Sequence, residues 1–344
     1  MELQKHNAAA KPPSTIMVYV GLDRLGDSLL KLPFVQALRT AYPQAHITWV
    51  AGKETTVYAS VMAPAVEGLL DEVVEYAGIG KTPLDLFRRP LGGRRFDMII
   101  DTQRVLWVSL SLKRIPHEVF ISPAGDFLFS TRKPAKGHQR PKTMLGQMLV
   151  LLELATGQPV DPRDSIDLKL DPALFDAAAE LLAAGPTYVG LAPGSGGLPK
   201  CWPLDNFIQL AKLQAGQGRT PVFLLGPKEI DWLDGLAKAV PQALFPLQKK
   251  GVEAAHKFAP PFTIALTKRL AVTVSNDSGV GHMVAVGRAP LISLFGPTSP
   301  EKFPPMTDKL TIIRAQDFGG KAMALIPVDA VADAVEAALA AWGS

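Results

Sequence analysis

One cysteine, Cys201, stands in a chain of 344 residues. An internal disulfide and a cysteine-cluster metal site are therefore excluded, and the composition fits a reducing compartment. The sequence D-x-D is missing throughout, so no obvious acidic pair offers itself to a divalent cation. Long apolar runs are missing as well. The most apolar stretch, "MLGQMLVLLELATG" at 144–157, carries Gln147 and Glu153 and falls far short of the ~20 residues that span a bilayer. The opening "MELQKHNAAAKPPS" lacks the apolar centre of a secretory signal, so the expected location is cytoplasmic. With 29 glycines and 30 prolines the chain stays below the combined ~25–30% share of low-complexity sequences.

What is there is an ordinary globular composition, 47% hydrophobic and 20% charged. At roughly one domain per ~150 residues, the length implies two domains. The net charge of +4 is mild but unevenly placed: residues 81–142 carry thirteen Lys/Arg against five Asp/Glu. Such an excess is either a solvated face or a surface for an anionic partner. No nucleic-acid motif accompanies it, so a nucleic-acid partner is not expected.

The pattern is strand, loop, helix, repeated. "TIMVYV", "HITWVAG", "FDMIIDTQ" and "VFISP" read as strands, with "SLLKLPFVQALRTAY" a helix after the first. The stretch "GQPVDPRDSIDLKLDP" at 157–172, with three prolines and several carboxylates, reads as a boundary. The pattern then restarts with strands "TYVGLAPGS", "PVFLLG", "LAVTVSN" and "PLISLFG" and helices "LDNFIQLAKLQAG" and "EIDWLDGLAKAV". This predicts an α/β protein of two Rossmann-like domains, 15–165 and 166–344, with parallel sheets facing each other. The last helix, "VDAVADAVEAALAAW", could pack on either domain.

Three glycine-bearing loops follow strands, where ligands of open parallel sheets bind. "GLDRLGDS" at 21–28 nearly fits the phosphate loop G-x-x-x-x-G-K-[ST], but Asp27 replaces the lysine and would repel a phosphate. Asp27 is then a carboxylate at a positive helix start, or a general base that takes a proton from a hydroxyl. "APGSGGLPKCWP" at 192–203 sets Lys200 after a flexible segment, either solvated or reaching a phosphate. "SNDSGVGHM" at 275–283 places Asp277, Ser278 and Gly279 at a strand-to-helix turn with free backbone N–H groups, and His282 one turn on. The plain alternative there is a capped helix with a core histidine.

With those loops in view the chain resembles the ADP-heptose:lipopolysaccharide heptosyltransferases, glycosyltransferase family nine. The match runs through "RLGDSLLKLPFVQALRTAYPQAHITWV", "FDMIIDTQ", "APGSGGLPKCWP" and above all "VSNDSGVGHMVAVGRAPLISLFGPTSP". The resemblance implies a GT-B fold and inverting, metal-independent transfer of a sugar, heptose from ADP-heptose, to a hydroxyl of an anionic lipopolysaccharide core, with no cofactor. It places the base on Asp27. It places donor contacts on Ser195, Lys200, Glu229, Asp277, Ser278, Gly279 and His282. An anionic acceptor would give the basic stretch a purpose, with Arg94 and Arg95 as its contacts, and implies peripheral contact with the inner face of the membrane. The rival expectations are an epimerase or hydrolase of nucleotide sugars on the same fold, and a non-catalytic relative that only binds them.

Overall fold

The computed structural model describes residues 11–343 except 22, 24, 81, 88–89, 161–167, 169, 250 and 252–258. The chain divides into two compact units, Met1–Asp167 and Leu168–Ser344. The boundary expected between 165 and 166 lies outside the described residues.

The first unit runs β1 (Thr15–Val20), α1 (Leu25–Ala41), β2 (His46–Ala51), α2 (Ala63–Val66), β3 (Glu72–Val74), β4 (Phe96–Asp101), α3 (Leu106–Lys113), β5 (His117–Ile121) and α4 (Met144–Thr156). Its five strands are parallel in the order β3-β2-β1-β4-β5. Strands covered by helices on both faces are buried on both, which is why β1 reads as a continuous apolar run. Ile16 to Val20 are all fully buried. The helix after β1 begins at Leu25, earlier than the apolar spacing suggested, so Asp27 lies in its first turn. Pro33 sits inside α1 and removes one backbone donor, yet the helix continues because residues 28–38 are buried.

The second unit runs α5 (Pro172–Leu181), β6 (Tyr188–Ala192), α6 (Leu204–Gly216), β7 (Thr220–Phe223), α7 (Leu233–Ala239), α8 (Pro260–Thr267), β8 (Val272–Asn276), α9 (Gly279–Val286), β9 (Leu291–Phe295), β10 (Leu310–Arg314) and α10 (Val328–Trp342). The parallel order is β10-β9-β8-β6-β7. α10, the last helix, packs on α6 and the strands of this unit, with Val331, Val335 and Ala338 in one cluster with Val274 and Ile292. Among the described residues no helix is long and apolar enough to cross a membrane.

Each sheet changes winding direction once, between β1 and β4 in the first unit and between β6 and β8 in the second. Loops that leave the carboxyl ends of strands flanking such a switch point diverge and open a crevice. In the first unit these are the loops after β1 and β4. In the second they are 193–203 after β6 and the short turn after β8.

Candidate active site

The loop after β1 and the first turn of α1 hold two aspartates four residues apart in different environments. Asp23 is buried, and both its oxygens are taken. Ser28 Oγ and Lys31 Nζ donate to Oδ1 at 2.7 and 2.8 Å, while Trp49 Nε1 and Thr56 Oγ1 donate to Oδ2 at 2.8 and 2.6 Å. Lys31 is buried too, and its ammonium balances the carboxylate. Asp23 thus pins the loop to α1, β2 and the turn at 56–59. Asp27 is half-buried and makes no hydrogen bond or ion pair with a described residue. Its carboxylate stands at the positive end of α1 with both oxygens open.

The neighbouring loop meets this one closely. A Cβ at Gly21 would come within 2.8 Å of Gln103 Oε1, so the two segments lie close and a larger residue there would displace the end of the Gln103 side chain. Asp101, the last residue of β4, accepts from Ser109 Oγ at 2.5 Å, Ser122 Oγ at 2.8 Å and the Gln103 N–H at 2.8 Å. Burial pushes its pKa up to about 6 against these hydrogen bonds.

In the second unit, Asn276 ends β8 and clips both ends of the loop after β6. Its Nδ2 donates to the Pro193 carbonyl at 2.7 Å and its Oδ1 accepts from the Trp202 N–H at 3.0 Å. Trp202 Nε1 donates to the Ile326 carbonyl at 2.9 Å. The loop so held presents Lys200, whose Nζ donates to Asp277 Oδ2 at 2.9 Å, and Thr298 Oγ1 donates to the same oxygen at 2.8 Å. Ser278 precedes α9 in an extended conformation without capping it through its side chain. The first N–H groups of α9, from Gly279 onward, therefore have no carbonyl partner within the helix.

One turn into α9, His282 is buried and its Nδ1 has no partner. Burial pushes its pKa down to about 4, Asp277 opposing the shift and Lys200 adding to it, so the ring is neutral. Glu229 follows β7 and is also buried. Its Oε2 accepts from the Gly226 N–H at 3.0 Å, and burial raises its pKa. A Cβ at Gly194 would lie 2.5 Å from Glu229 Cδ, so that glycine in the loop after β6 makes room for the carboxylate. Chemically, the end of this sheet gathers a helix start, a half-exposed ammonium and an uncharged imidazole, the equipment for holding an anion.

Of the sequence-predicted residues, Lys200, Asp277, Ser278, Gly279 and His282 come together at the carboxyl end of the second sheet. Ser195 lies on the same clipped loop as Lys200, and Glu229 touches that loop at Gly194. Asp27 lies at the carboxyl end of the first sheet. Arg94 and Arg95 do not join it. Both precede β4, at its amino end, a strand length of roughly 20 Å away. Arg94 is held bidentately by Glu72 at 2.8 and 2.7 Å, and Arg95 by Glu118 at 2.9 Å. The charge count that picked them carries a sign but no information on which end of a strand they flank. Lys81, where the basic stretch begins, lies outside the described residues. Sequence reasoning missed Asp23 and Asn276. An asparagine closing a strand between two glycine-bearing loops was a usable signal for Asn276, whereas the donors to Asp23 come from three separate elements.

The model of the family described as Glycosyltransferase family 9 (heptosyltransferase) matches residues 85–323, well over half of the chain. The chain belongs to glycosyltransferase family 9. This family 9 member is 28% identical over 326 residues to the lipooligosaccharide heptosyltransferase 2 of Haemophilus influenzae, covering 87% of this chain and 88% of that one. It superposes on the family 9 glycosyltransferase of Veillonella parvula with a TM-score of 0.69 at 19% identity, covering 95% and 97% of the two chains. The ADP-heptose lipopolysaccharide heptosyltransferase II of Escherichia coli gives a TM-score of 0.65 at 20% identity, with 96% and 100% covered. The fold is thus the GT-B type of these enzymes, two α/β units with parallel sheets, and the family 9 protein is a glycosyltransferase.

Proposed function

We propose that this glycosyltransferase moves a heptose from ADP-heptose to a hydroxyl of a lipopolysaccharide core or a similar anionic glycan, with inversion and without a metal or other cofactor. The observation that carries the reading is the open Asp27 carboxylate in the first turn of α1, four residues after a saturated Asp23: a fixed anchor is followed directly by a free base. Asp27 takes the proton of the acceptor hydroxyl as its oxygen attacks the anomeric carbon from the face opposite the diphosphate. The bond from that carbon to the diphosphate oxygen breaks, and the electron pair leaves with the nucleotide.

The developing charge on the diphosphate falls to the backbone N–H groups at the start of α9 and to Lys200. Asp277 and Thr298 hold Lys200 in position until the donor arrives, and Ser195 and Ser278 add hydroxyl contacts. The unpartnered Nδ1 of neutral His282 offers one further hydrogen bond without adding charge. Glu229, seated between Gly194 and Gly226, meets the donor ribose through its free oxygen. The heptosyltransferases that this chain resembles act on lipopolysaccharide or lipooligosaccharide by name, which supports the same substrate class here.

The test is to incubate the protein with ADP-heptose and a lipopolysaccharide-core acceptor, with and without EDTA, and determine the new anomeric configuration by NMR. Inverted product at an unchanged rate in EDTA is expected. Retained configuration, a rate that needs added magnesium or manganese, or donor epimerised or hydrolysed without any glycan product would contradict the proposal.

A further inference from the structure

We infer that Gln248 reads the base of the donor nucleotide, its side-chain oxygen accepting a hydrogen bond from the 6-amino group of adenine, an inference that rests on the ADP-heptose reading of the site. In that reading the diphosphate lies at the start of α9 and the ribose at Glu229. α9 follows β8 and Glu229 follows β7, with β6 between them, so the two groups lie two strand spacings apart, roughly 10 Å. Diphosphate, ribose and base are joined in a line, and the base therefore falls beyond β7. The chain returns there. Leu244 pairs in parallel with Val222, on the side of β7 away from β6, and its carbonyl accepts from the Phe223 N–H at 2.9 Å. The turn Pro246–Gln248 then sits at the same carboxyl end of the sheet as Glu229.

Gln248 is tied to Glu229 through one peptide group. Its Nε2 donates to the Leu225 carbonyl at 3.0 Å, and the adjoining Gly226 N–H donates to Glu229 Oε2 at 3.0 Å. The C=O and N–H of a trans peptide point in opposite directions, so the two side chains flank the two edges of one rigid plane. The same contact decides which way round the amide lies. A carbonyl can only accept, so the nitrogen must face Leu225 and the oxygen is left over. Oε1 is buried and has no hydrogen-bond partner among the described residues. A buried acceptor left unpaired is costly, and a ligand N–H that reaches it recovers that cost. At its six position adenine offers an amine, whereas hypoxanthine and guanine offer an oxygen. An amide oxygen pairs with the first and opposes the second.

The experiment is calorimetric titration of the full chain with ADP, IDP and UDP, for the parent and for Gln248→Met, which keeps the length of the side chain and removes its amide. IDP carries an oxygen where ADP carries the amine. The parent is expected to bind ADP about tenfold or more tightly than IDP. Gln248→Met is expected to weaken ADP binding by about tenfold and to leave IDP within about twofold, so that the preference disappears. Equal parental affinities for ADP and IDP overturn the inference, and that result needs no variant. A variant that keeps the ADP preference overturns it as well. So does one that weakens both purine nucleotides alike, because Gln248 then only holds the loop at Leu225. These results leave the ADP-heptose reading standing. A parent that binds UDP more tightly than either purine nucleotide defeats that reading, and the inference falls with it.

Discussion

At the switch point of the first sheet the polar residues are carboxylates: Asp23 saturated by four donors, Asp101 held by two serines, and Asp27 left open. At the switch point of the second they are an amide, an ammonium, an imidazole and a helix start, and the aspartate there is already paired with Lys200. The two parallel sheets differ in strand order, but each has one switch point, and the contrast lies in which side chains sit on the loops there. It also shows that an aspartate's role follows from the donors around it. Asp23 and Asp277 organise their surroundings, whereas Asp27 makes no hydrogen bond or ion pair with a described residue, which is why it is the one proposed as the base.

The comparison can be broken most forcefully at Asp23. Asp23→Ala removes the buried carboxylate that accepts from Ser28, Lys31, Trp49 and Thr56 and breaks its ion pair with Lys31, a loss of about 3–5 kcal/mol. Denaturant unfolding followed by Trp49 fluorescence should show the first unit destabilised on that scale. A loss below about 1 kcal/mol would mean that Asp23 is not the anchor described.

Acid should act on the two units in opposite directions. His282 has a folded pKa of about 4 against an ordinary 6.5, so it gains a proton on unfolding between those values. Its contribution is complete above pH 6.5 and is lost as pH falls towards 4, about 2 kcal/mol by roughly pH 5. Asp101 has a folded pKa of about 6 against an ordinary 3.8 and keeps its proton in the folded state across that window. The first unit therefore gains about 1 kcal/mol on going from neutral pH to roughly pH 5. Unfolding curves across this range for the parent, His282→Gln and Asp101→Asn check both signs. The histidine variant should lose less stability in acid than the parent, and the asparagine variant should lack the gain. Parallel curves for all three would remove the contrast.

Lys200→Ala should weaken donor binding by about 1.5–3 kcal/mol, roughly 10–150-fold, through the loss of a charge-assisted contact to the diphosphate. Calorimetric titration with ADP-heptose measures it, and a donor affinity equal to the parent's would make Lys200 only the partner of Asp277. The smallest effect belongs to Arg94 and Arg95. Their ion pairs are surface pairs at the amino end of β4, worth about 0–1 kcal/mol. Replacing both with Ala should leave the acceptor KM within about twofold, and a large rise would return them to the acceptor.

Much of this arrangement can be read from the sequence, and the failures have physical causes. β1, β2, β4, β6 and β8 are central or near-central strands, buried on both faces, and so appear as apolar, β-branched runs. β3 spans only Glu72–Val74, too short to show a pattern, and β10 is a half-buried edge strand whose run Leu310–Ile313 stands outside the helix and strand alternation read from the sequence. α8 opens with Pro260 and Pro261, which read as a break although both positions suit a helix start. The residues proposed for the donor side, Glu229 apart, could be picked out because they lie within two glycine-bearing loops, each local in sequence. The division between Asp23 and Asp27 was not, because Lys31, Trp49 and Thr56 reach Asp23 only once α1, β2 and the 56–59 turn have assembled around it.

The claim that the free aspartate is the base is tested most directly by Asp27→Asn, which removes the proton acceptor with little change in size. Donor binding by calorimetry and transfer by product formation should be measured on the same preparations of parent and variant. The account expects transfer to fall by about 10²–10⁴-fold, the usual contribution of a general base, while donor affinity and melting temperature hold. A variant that transfers sugar at the parental rate would contradict it and leave Asp27 as a carboxylate that only stabilises the start of α1.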